Sequence, residues 1–342
     1  MPIWLTLCAA VTAAVIAALG GFVLIPYLKK IHFGQTILEE GPAWHKSKQG
    51  TPIMGGFLFI GGSILATALG YTVYRLSGGI DTTSREAAVQ GLRLLTVVLF
   101  SLLYSLSVGF TDDYIKAVKK QNLGLNPKQK IAAQLVLSVA LLGILYLLGD
   151  HDTTIDLIFC KLNFGIFYYP VMILFIIYIS NAVNLTDGID GLCGSVTVVS
   201  MLCLTVICAA LHYLELSLYA ITIAGGCIGF LVWNLHPAKC FMGDTGSMYL
   251  GGAFAAIGIA CRMHLLLVMV GIVYVLDALS VVIQVGYFKI TKKIYGEGRR
   301  IFKMSPIHHH FELCKWSEYK IVAVFSLVGL VFGVIAVLLQ VL

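Results

Sequence analysis

Charge is what this sequence lacks most. Only 12% of its 342 residues are Asp, Glu, Lys or Arg, whereas 59% are hydrophobic. A soluble protein carries about 25% charged residues, so the composition excludes an ordinary water-soluble fold. It predicts instead a polytopic integral membrane protein.

Three further absences narrow the possibilities. The nine cysteines show no C-x-x-C spacing, and most lie within apolar runs, where they resemble small packing residues. No repeat of fixed period and no soluble domain boundary is visible, so we treat 1–342 as a single transmembrane domain. No cleavable signal peptide is expected, because the first apolar run is long enough to span a membrane and lacks a basic start.

Long apolar runs are abundant. A transmembrane helix needs roughly 20 apolar residues, and about ten segments qualify. They lie near residues 3–28, 53–74, 92–111, 130–149, 167–183, 194–212, 216–233, 246–262, 265–288 and 320–342. The sequence therefore predicts an all-α membrane protein with about ten transmembrane helices.

Lys and Arg are distributed unevenly between the two sides of these spans. They are concentrated in the loops after the first, third and ninth spans, whereas the opposite loops hold only Arg75, Arg85, Arg93, Lys161 and Arg262. Basic loops lie in the cytoplasm, so both termini are expected to be extracytoplasmic. The basic rim suits anionic headgroups or a phosphorylated substrate, although topology signalling alone is the alternative explanation for it.

Acidic residues occur as three islands beside apolar runs. Asp112 and Asp113 end the third span, Asp187 and Asp190 follow the fifth, and Asp244 precedes the eighth. Charge at membrane depth is tolerated where it lines water or performs chemistry. Because all three islands fall on the predicted cytoplasmic face, we expect them to form one active site there.

The first island places Lys116 one helical turn after Asp112 and Asp113. Carboxylate oxygens are the ligands that Mg²⁺ takes, together with substrate phosphates. The alternative is an interfacial helix end, where an Asp caps the turn and the Lys anchors to headgroups.

The second island runs from Asn184 to Gly191. Asp187 and Asp190 are three residues apart, so a helical turn would put both on one face. The Asn184 amide is suited to a base edge or a sugar hydroxyl. A loop stabilised by Asx-turns is the alternative.

The third island, Phe241-Met-Gly-Asp-Thr-Gly-Ser247, opens a helix. Asp244 or Thr245 could be its N-cap. Alternatively, Asp244 binds a metal, the helix N-terminus faces an anion and Phe241 stacks on a base.

Two features near the C-terminus remain. Pro306 is predicted to begin a helix that directs His308 at an anion. The run His308-His309-His310 cannot face one metal from a helix, so phosphate binding, structural support, a solvated loop and a transition-metal site are the alternatives. In the ninth span, Asp277 and Gln284 can face the bundle interior, and the role of Asp277 is left open.

Taken in order, these motifs resemble the phospho-N-acetylmuramoyl-pentapeptide-transferase family of the polyprenyl-phosphate N-acetylhexosamine-1-phosphate transferase superfamily. The resemblance covers essentially the whole chain, with no departure at the motifs that carry it. Those motifs are Gly50-Thr-Pro-Ile-Met-Gly-Gly56, Asp112-Asp-Tyr-Ile-Lys116, Asn184-Leu-Thr-Asp-Gly-Ile-Asp-Gly191, Asn234-Leu-His-Pro237, Phe241-Met-Gly-Asp-Thr-Gly-Ser247 and Pro306-Ile-His-His-His-Phe-Glu312.

The resemblance implies a Mg²⁺-dependent enzyme of the bacterial cytoplasmic membrane. Such an enzyme moves phospho-N-acetylmuramoyl-pentapeptide from its uridine diphosphate (UDP) carrier to undecaprenyl phosphate, giving lipid I and UMP. Its partners would be these two substrates and membrane lipid. No nucleic-acid partner is expected, and a homodimer is one alternative for the assembly.

The resemblance also implies residue roles. Asp244 would bind the metal, and Asp112 and Asp113 would form the essential pair that organises the metal and the lipid phosphate. His308 would be catalytic and, with His309, lie near the sugar or phosphate, while Asn234 would lie near the metal. Phosphate charge would be offset by Lys116, Lys119, Lys120 and Lys128. Nucleotide recognition would involve Lys48, Asn184, Leu185, Asp187, Asp190, Phe241 and Gln284.

Two other functions compete with this one. A UDP-N-acetylglucosamine phosphotransferase would share the acidic islands, but the histidine run and the Gly50–Gly56 motif favour the muramoyl-pentapeptide enzyme. A transporter or lipid flippase usually has midplane polar sites and internal repeats. Neither feature is visible here.

Overall fold

The computed structural model describes residues 1–31, 34, 50–79, 84–119 and 123–341. These residues form thirteen α-helices and one two-stranded antiparallel hairpin. The helices are α1 (Ile3–Lys30), α2 (Gly56–Leu76), α3 (Arg85–Tyr104), α4 (Thr111–Lys119), α5 (Pro127–Leu147), α6 (Tyr168–Thr186), α7 (Leu192–Ala210), α8 (Leu214–Asn234), α9 (Gly243–Ala260), α10 (His264–Val270), α11 (Ile272–Tyr295), α12 (Ile307–Leu313) and α13 (Glu318–Val341). The strands are β1 (Thr154–Asp156) and β2 (Lys161–Asn163).

Nine helical segments of the described chain are long and apolar enough to cross a membrane. The prediction of an all-α polytopic membrane protein is therefore confirmed. The predicted span 246–262 is not among the nine. It corresponds to α9, whose residues from Thr245 to Ala260 are all buried by other helices. Because α9 contacts protein rather than lipid, small and polar residues are tolerated there.

Two predicted spans differ from the observed helices. The third does not end at the acidic pair, because α3, a π-helical turn over Ser105–Phe110 and α4 form one continuous helical segment to Lys119. The predicted span 265–288 is divided at Gly271 into α10 and α11.

The centre of the bundle is built from close backbone approaches. Helix α9 packs against α2, α3 and α6, and α8 packs against α1, α2 and α7. A Cβ atom at Gly225 would stand 2.1 Å from the Ala10 carbonyl oxygen, and one at Gly229 would stand 2.1 Å from that of Ala14. Small residues allow such approaches between membrane helices, so these glycines fix the spacing of α1 and α8.

Hydrogen bonds between buried hydroxyl groups join the same helices. The Tyr249 hydroxyl lies 2.8 Å from Ser63 Oγ and 2.9 Å from the Tyr219 hydroxyl. The Tyr104 hydroxyl lies 2.7 Å from Ser180 Oγ. Each of these five hydroxyl groups therefore has a partner, which avoids the cost of an unsatisfied polar group.

The π-helical turn positions α4 against α9. Ser105 Oγ donates a hydrogen bond to the Thr245 carbonyl oxygen at 2.7 Å. A Cβ atom at Gly109 would stand 2.2 Å from the Asp244 carbonyl oxygen, so only glycine fits there. Such turns are frequent at functional sites. Here the turn brings the start of α4, with its acidic pair, to the start of α9.

The glycine contacts between α1 and α8 lead to a stability prediction. Gly225→Ala should lower the free energy of unfolding by about 1–3 kcal/mol, because its methyl group overlaps the Ala10 carbonyl. The matched control is Gly143→Ala in α5, where an added Cβ meets nothing within 4 Å. Thermal unfolding of the detergent-solubilised chain measures both. Equal midpoints for the two variants would contradict the packing argument.

Candidate active site

Three carboxylates meet where α4 and α9 begin. One oxygen each from Asp112, Asp113 and Asp244 lies within 4.8 Å of the others. Asp112 and Asp113 are almost fully buried. The prediction that the first and third islands come together is therefore confirmed by the geometry.

Asp113 caps α9 from another helix. Its Oδ1 accepts a hydrogen bond from the Asp244 backbone N–H at 3.1 Å. Its Oδ2 accepts bonds from the Thr245 N–H at 2.8 Å and the Thr245 hydroxyl at 2.7 Å. Neither Asp244 nor Thr245 is the N-cap, and that alternative is wrong: α9 begins at Gly243, and the Met242 position before it makes no side-chain cap. Asp113 thus uses both oxygens to orient Asp244.

Two lysines lie between Asp112 and Asp244. Lys116 Nζ is 2.6 Å from Asp112 Oδ2 and 3.4 Å from Asp244 Oδ2. Lys130 Nζ is 3.0 Å from Asp112 Oδ1 and 2.9 Å from Asp244 Oδ2. The pairing offsets the cost of removing these charges from water. It also places two cations next to two carboxylates that can bind a metal ion.

Lys130 is a site residue that sequence reasoning missed. The predicted lysine of this segment was Lys128, whose side chain is exposed. A capping box between Asn126 and Gln129 starts α5 at Pro127, which places Lys130 in the first turn. That Asn-Pro-x-x pattern is visible in the sequence and fixes the phase of the helix, so it was the available signal.

Asn184 joins this cluster as predicted. Its Nδ2 donates to Asp244 Oδ1 at 3.0 Å and to Ser247 Oγ at 2.8 Å. Asp187 follows in the loop after α6, where burial and then the charges of Asp244 and Asp113 raise its pKa well above the usual range. A cation bound nearby would favour the ionised form. The last turn of α6 and the loop after it therefore face the acidic cluster with one amide and one carboxyl group.

Asp190 belongs to a second cluster. Its Oδ2 lies 3.1 Å from His236 Nδ1 and accepts the Ala238 N–H at 3.0 Å, while its own N–H donates to Glu318 Oε2 at 2.9 Å. The expectation that Asp187 and Asp190 share a helical face is wrong, because α6 ends at Thr186 and the segment between them is a turn.

Two predicted substrate-binding amides brace loops. Asn234 Nδ2 donates to the Cys240 carbonyl at 3.0 Å, and its Oδ1 accepts the Gly191 N–H at 3.1 Å. It makes no contact with Asp244 among its hydrogen bonds to described residues. Gln284 Nε2 donates to the Phe302 carbonyl at 3.0 Å, and its Oε1 accepts two backbone N–H groups of the same loop.

Phe241 and Leu185 are the other described residues that were predicted to recognise the nucleotide. Phe241 is half-buried, and its backbone pairs with Pro52 and Gly55 of the Gly50–Gly56 motif. Leu185 is exposed. Lys48 and Lys120 lie outside the described residues.

The three histidines point to different partners. Helix α12 begins at Ile307, one residue later than predicted. His308 is buried and pairs with Asp277 at 2.9 Å, whereas His309 Nδ1 lies 2.5 Å from Glu312. His310 Nδ1 accepts the Lys303 N–H at 3.1 Å. Because the three side chains have different partners, the arrangement agrees with the expectation that the three histidines do not face one metal ion.

Comparison with known proteins identifies relatives along almost the full chain. The model of the family Glycosyl transferase family 4 matches residues 95–262. The chain is 42% identical to a phospho-N-acetylmuramoyl-pentapeptide-transferase of Halalkalibacterium halodurans, over 93% of this chain and 92% of that protein. It is 40% identical to the protein of that name from Shouchella clausii, over 98% of this chain and 97% of that protein. A Clostridium perfringens protein of the same name is 41% identical over 96% of both chains.

The lysine pair leads to a prediction about metal binding. Lys130→Met removes one of the two cations beside Asp112 and Asp244, so the free energy of unfolding should fall by about 1–3 kcal/mol. Added Mg²⁺ should restore more stability to this variant than to the unchanged protein, because the carboxylates regain a cationic partner. Thermal unfolding with and without MgCl₂ measures this.

The matched control is Lys161→Met, which removes an exposed ion pair with Asp156 in the hairpin. Exposed pairs contribute little to stability, so its midpoint should not change and Mg²⁺ should have no added effect. The same Mg²⁺ response in both lysine variants would contradict a cation site at Asp112 and Asp244.

Proposed function

The chain belongs to the phospho-N-acetylmuramoyl-pentapeptide-transferase family, and we propose that it transfers phospho-N-acetylmuramoyl-pentapeptide from a UDP carrier to undecaprenyl phosphate. The products are lipid I and UMP. The observation that carries this proposal is the joint placement of Asp112, Asp244, Lys116 and Lys130 at one end of the bundle. A reaction between two phosphate groups needs this concentration of cations and metal-binding oxygens.

Positive charge allows the two phosphorylated substrates to approach each other. Lys116 and Lys130 each have an Nζ that bridges two carboxylates, so each can turn one or more N–H donors toward a phosphate oxygen. Both side chains are about a quarter to a third exposed, at 31% and 23%. They are therefore held in place and still reachable from solvent.

Mg²⁺ is the cofactor that this donor set fits. The clustered carboxylate oxygens are hard ligands, and magnesium is usually bound by one or two carboxylates together with substrate phosphates. Asp244 is the ligand we propose, with Asp112 beside it and Asp113 orienting it through the first turn of α9. Bound here, the ion would neutralise charge on the transferring phosphoryl group and align the two substrates.

The transfer step needs no strong general base. An oxygen of undecaprenyl phosphate attacks the sugar-linked phosphorus, the bond from that phosphorus to the bridging oxygen breaks, and UMP leaves. A phosphate monoester has a second pKa of about 6, so the nucleophile is already ionised near neutral pH. Asp112 and Asp113 therefore act by positioning, and a direct one-step displacement follows.

A UMP-release assay tests the function. Detergent-solubilised protein with undecaprenyl phosphate and UDP-N-acetylmuramoyl-pentapeptide should release UMP, and UDP-N-acetylglucosamine should not replace the sugar nucleotide. Chelation of divalent cations should abolish release, and added Mg²⁺ should restore it. UMP release with UDP-N-acetylglucosamine and none with UDP-N-acetylmuramoyl-pentapeptide would replace this proposal with the rival phosphotransferase.

The same assay tests Asp244. Asp244→Asn replaces one oxygen ligand at nearly constant volume, so turnover should fall by about 10²-fold or more while the protein remains folded by size-exclusion chromatography. Asp156→Asn, at an exposed position in the hairpin, is the control and should keep full activity. Full activity of Asp244→Asn would refute the metal role.

The protein is a multi-pass membrane protein. We assign it to the bacterial cytoplasmic membrane, with the acidic cluster on the cytoplasmic face and both termini on the other. The distribution of Lys and Arg supports this orientation. A homodimer stays a prediction.

Two cysteines in loops that are predicted to lie on opposite sides of the membrane test the orientation. Cys314 follows α12, and Cys160 is exposed in the hairpin after α5. In intact cells, a membrane-impermeant maleimide should label Cys160 and leave Cys314 unlabelled until the membrane is opened. Labelling of Cys314 alone in intact cells would reverse the topology.

A further inference from the structure

Asp277 is a buried carboxylate that the reaction scheme above does not use. It lies near the start of α11 and is 0% exposed. Its side-chain partner among the described residues is His308, which is also 0% exposed. A buried carboxylate without a partner is costly, so the Asp277–His308 dyad is a unit in which each side chain depends on the other.

The carboxylate fixes the imidazole ring in position. Asp277 Oδ2 lies 2.9 Å from His308 Nδ1, and Oδ1 accepts the His308 backbone N–H at 3.3 Å. A carboxylate oxygen accepts a hydrogen bond in this contact when His308 carries its ring proton on Nδ1. Both oxygens therefore hold one residue, and the ring cannot rotate without losing a bond.

The other ring nitrogen is directed at the loop of the acidic cluster. His308 Nε2 is buried and has no hydrogen-bond partner among the described residues. A Cβ atom at Gly188 would stand 2.1 Å from Nε2, so this nitrogen lies directly against the loop that carries Asp187. An unpaired buried polar atom costs roughly 1–3 kcal/mol, a cost that a substrate hydrogen bond would remove.

We propose that Asp277 is a positioning residue of the transferase, which keeps the proton of His308 on Nδ1 and presents Nε2 to the sugar nucleotide at the Asp187–Gly188 loop. This inference rests on the proposed function and adds a residue to it. Asp277 touches no substrate, and it acts through His308.

A double-mutant cycle separates this role from a structural one. Asp277→Asn and His308→Gln should each lower kcat/KM by roughly 10- to 100-fold, the usual effect of losing a partner that orients a functional histidine. If Asp277 acts only through His308, the double variant should be no slower than His308→Gln. A loss of kcat/KM in the double variant equal to the product of the two single losses would overturn the proposal.

Tyr178→Phe is the matched control for α11. It removes the 3.2 Å hydrogen bond that the Tyr178 hydroxyl of α6 donates to the Val275 carbonyl of α11. Val275 lies two residues before Asp277 in the same helix. The substitution leaves the dyad intact, so kcat/KM should stay within about twofold of the unchanged protein. A loss as large as that of Asp277→Asn would show that loosening α11 is enough, and would also overturn the proposal.

The ring proton gives a readout that a structural role would not move. In Asp277→Asn the amide can donate to Nδ1, which moves the proton to Nε2. ¹⁵N NMR of histidine-labelled full-length protein should show the His308 ring proton on Nε2 instead of Nδ1. The His308 signal is identified as the one that disappears in His308→Gln. An unchanged Nδ1–H signal in Asp277→Asn would contradict the proposal even if activity is too low for the cycle. UMP release by the unchanged protein tests the proposed function separately.

Discussion

The carboxylate of Asp113 holds the first turn of α9 with three hydrogen bonds, and the active end of the bundle depends on this contact. It joins two segments that are more than a hundred residues apart. It also decides which carboxylates remain for chemistry, because both Asp113 oxygens are occupied while Asp112 and Asp244 face Lys116 and Lys130. The two adjacent aspartates of one motif therefore have different tasks.

Charge balance explains how a chain so poor in charge can keep a polar centre beside lipid. The bridging lysines offset Asp112 and Asp244, and Asn184 adds a neutral donor to Asp244. Buried carboxylates are tolerated only when they are paired or hydrogen-bonded. Around this centre α9 is enclosed by other helices, which separate it from the surrounding lipid.

Much of this arrangement could be read from the sequence. Apolar runs separated by loops predicted the helices, and acidic residues beside those runs predicted the site, because both patterns follow from the low polarity of the membrane. The same reasoning selected Lys128 instead of Lys130, because it did not use the Asn126–Pro127 start signal that sets the phase of α5. It also placed Asp187 and Asp190 on one helical face, whereas the helix ends before both and the turn between them directs them to different partners.

Partners that are distant in sequence were beyond prediction. The pairing of Asp277 with His308 joins α11 to α12, and nothing in the spacing of either residue specifies the other. The capping of α9 by Asp113 is of the same kind. Such contacts depend on how whole helices pack, and a local pattern does not contain that information.

The glycines around the site also bear on how it can change. Gly109, Gly188 and Gly243 each lie where a single added carbon would stand between 2.1 and 2.5 Å from Asp244, His308 or Asp113. At these three positions the active site is therefore lined by backbone, and no side chain is present that a substitution could replace. An inhibitor that contacts these stretches would leave the organism few substitutions that weaken its binding without also displacing a functional residue.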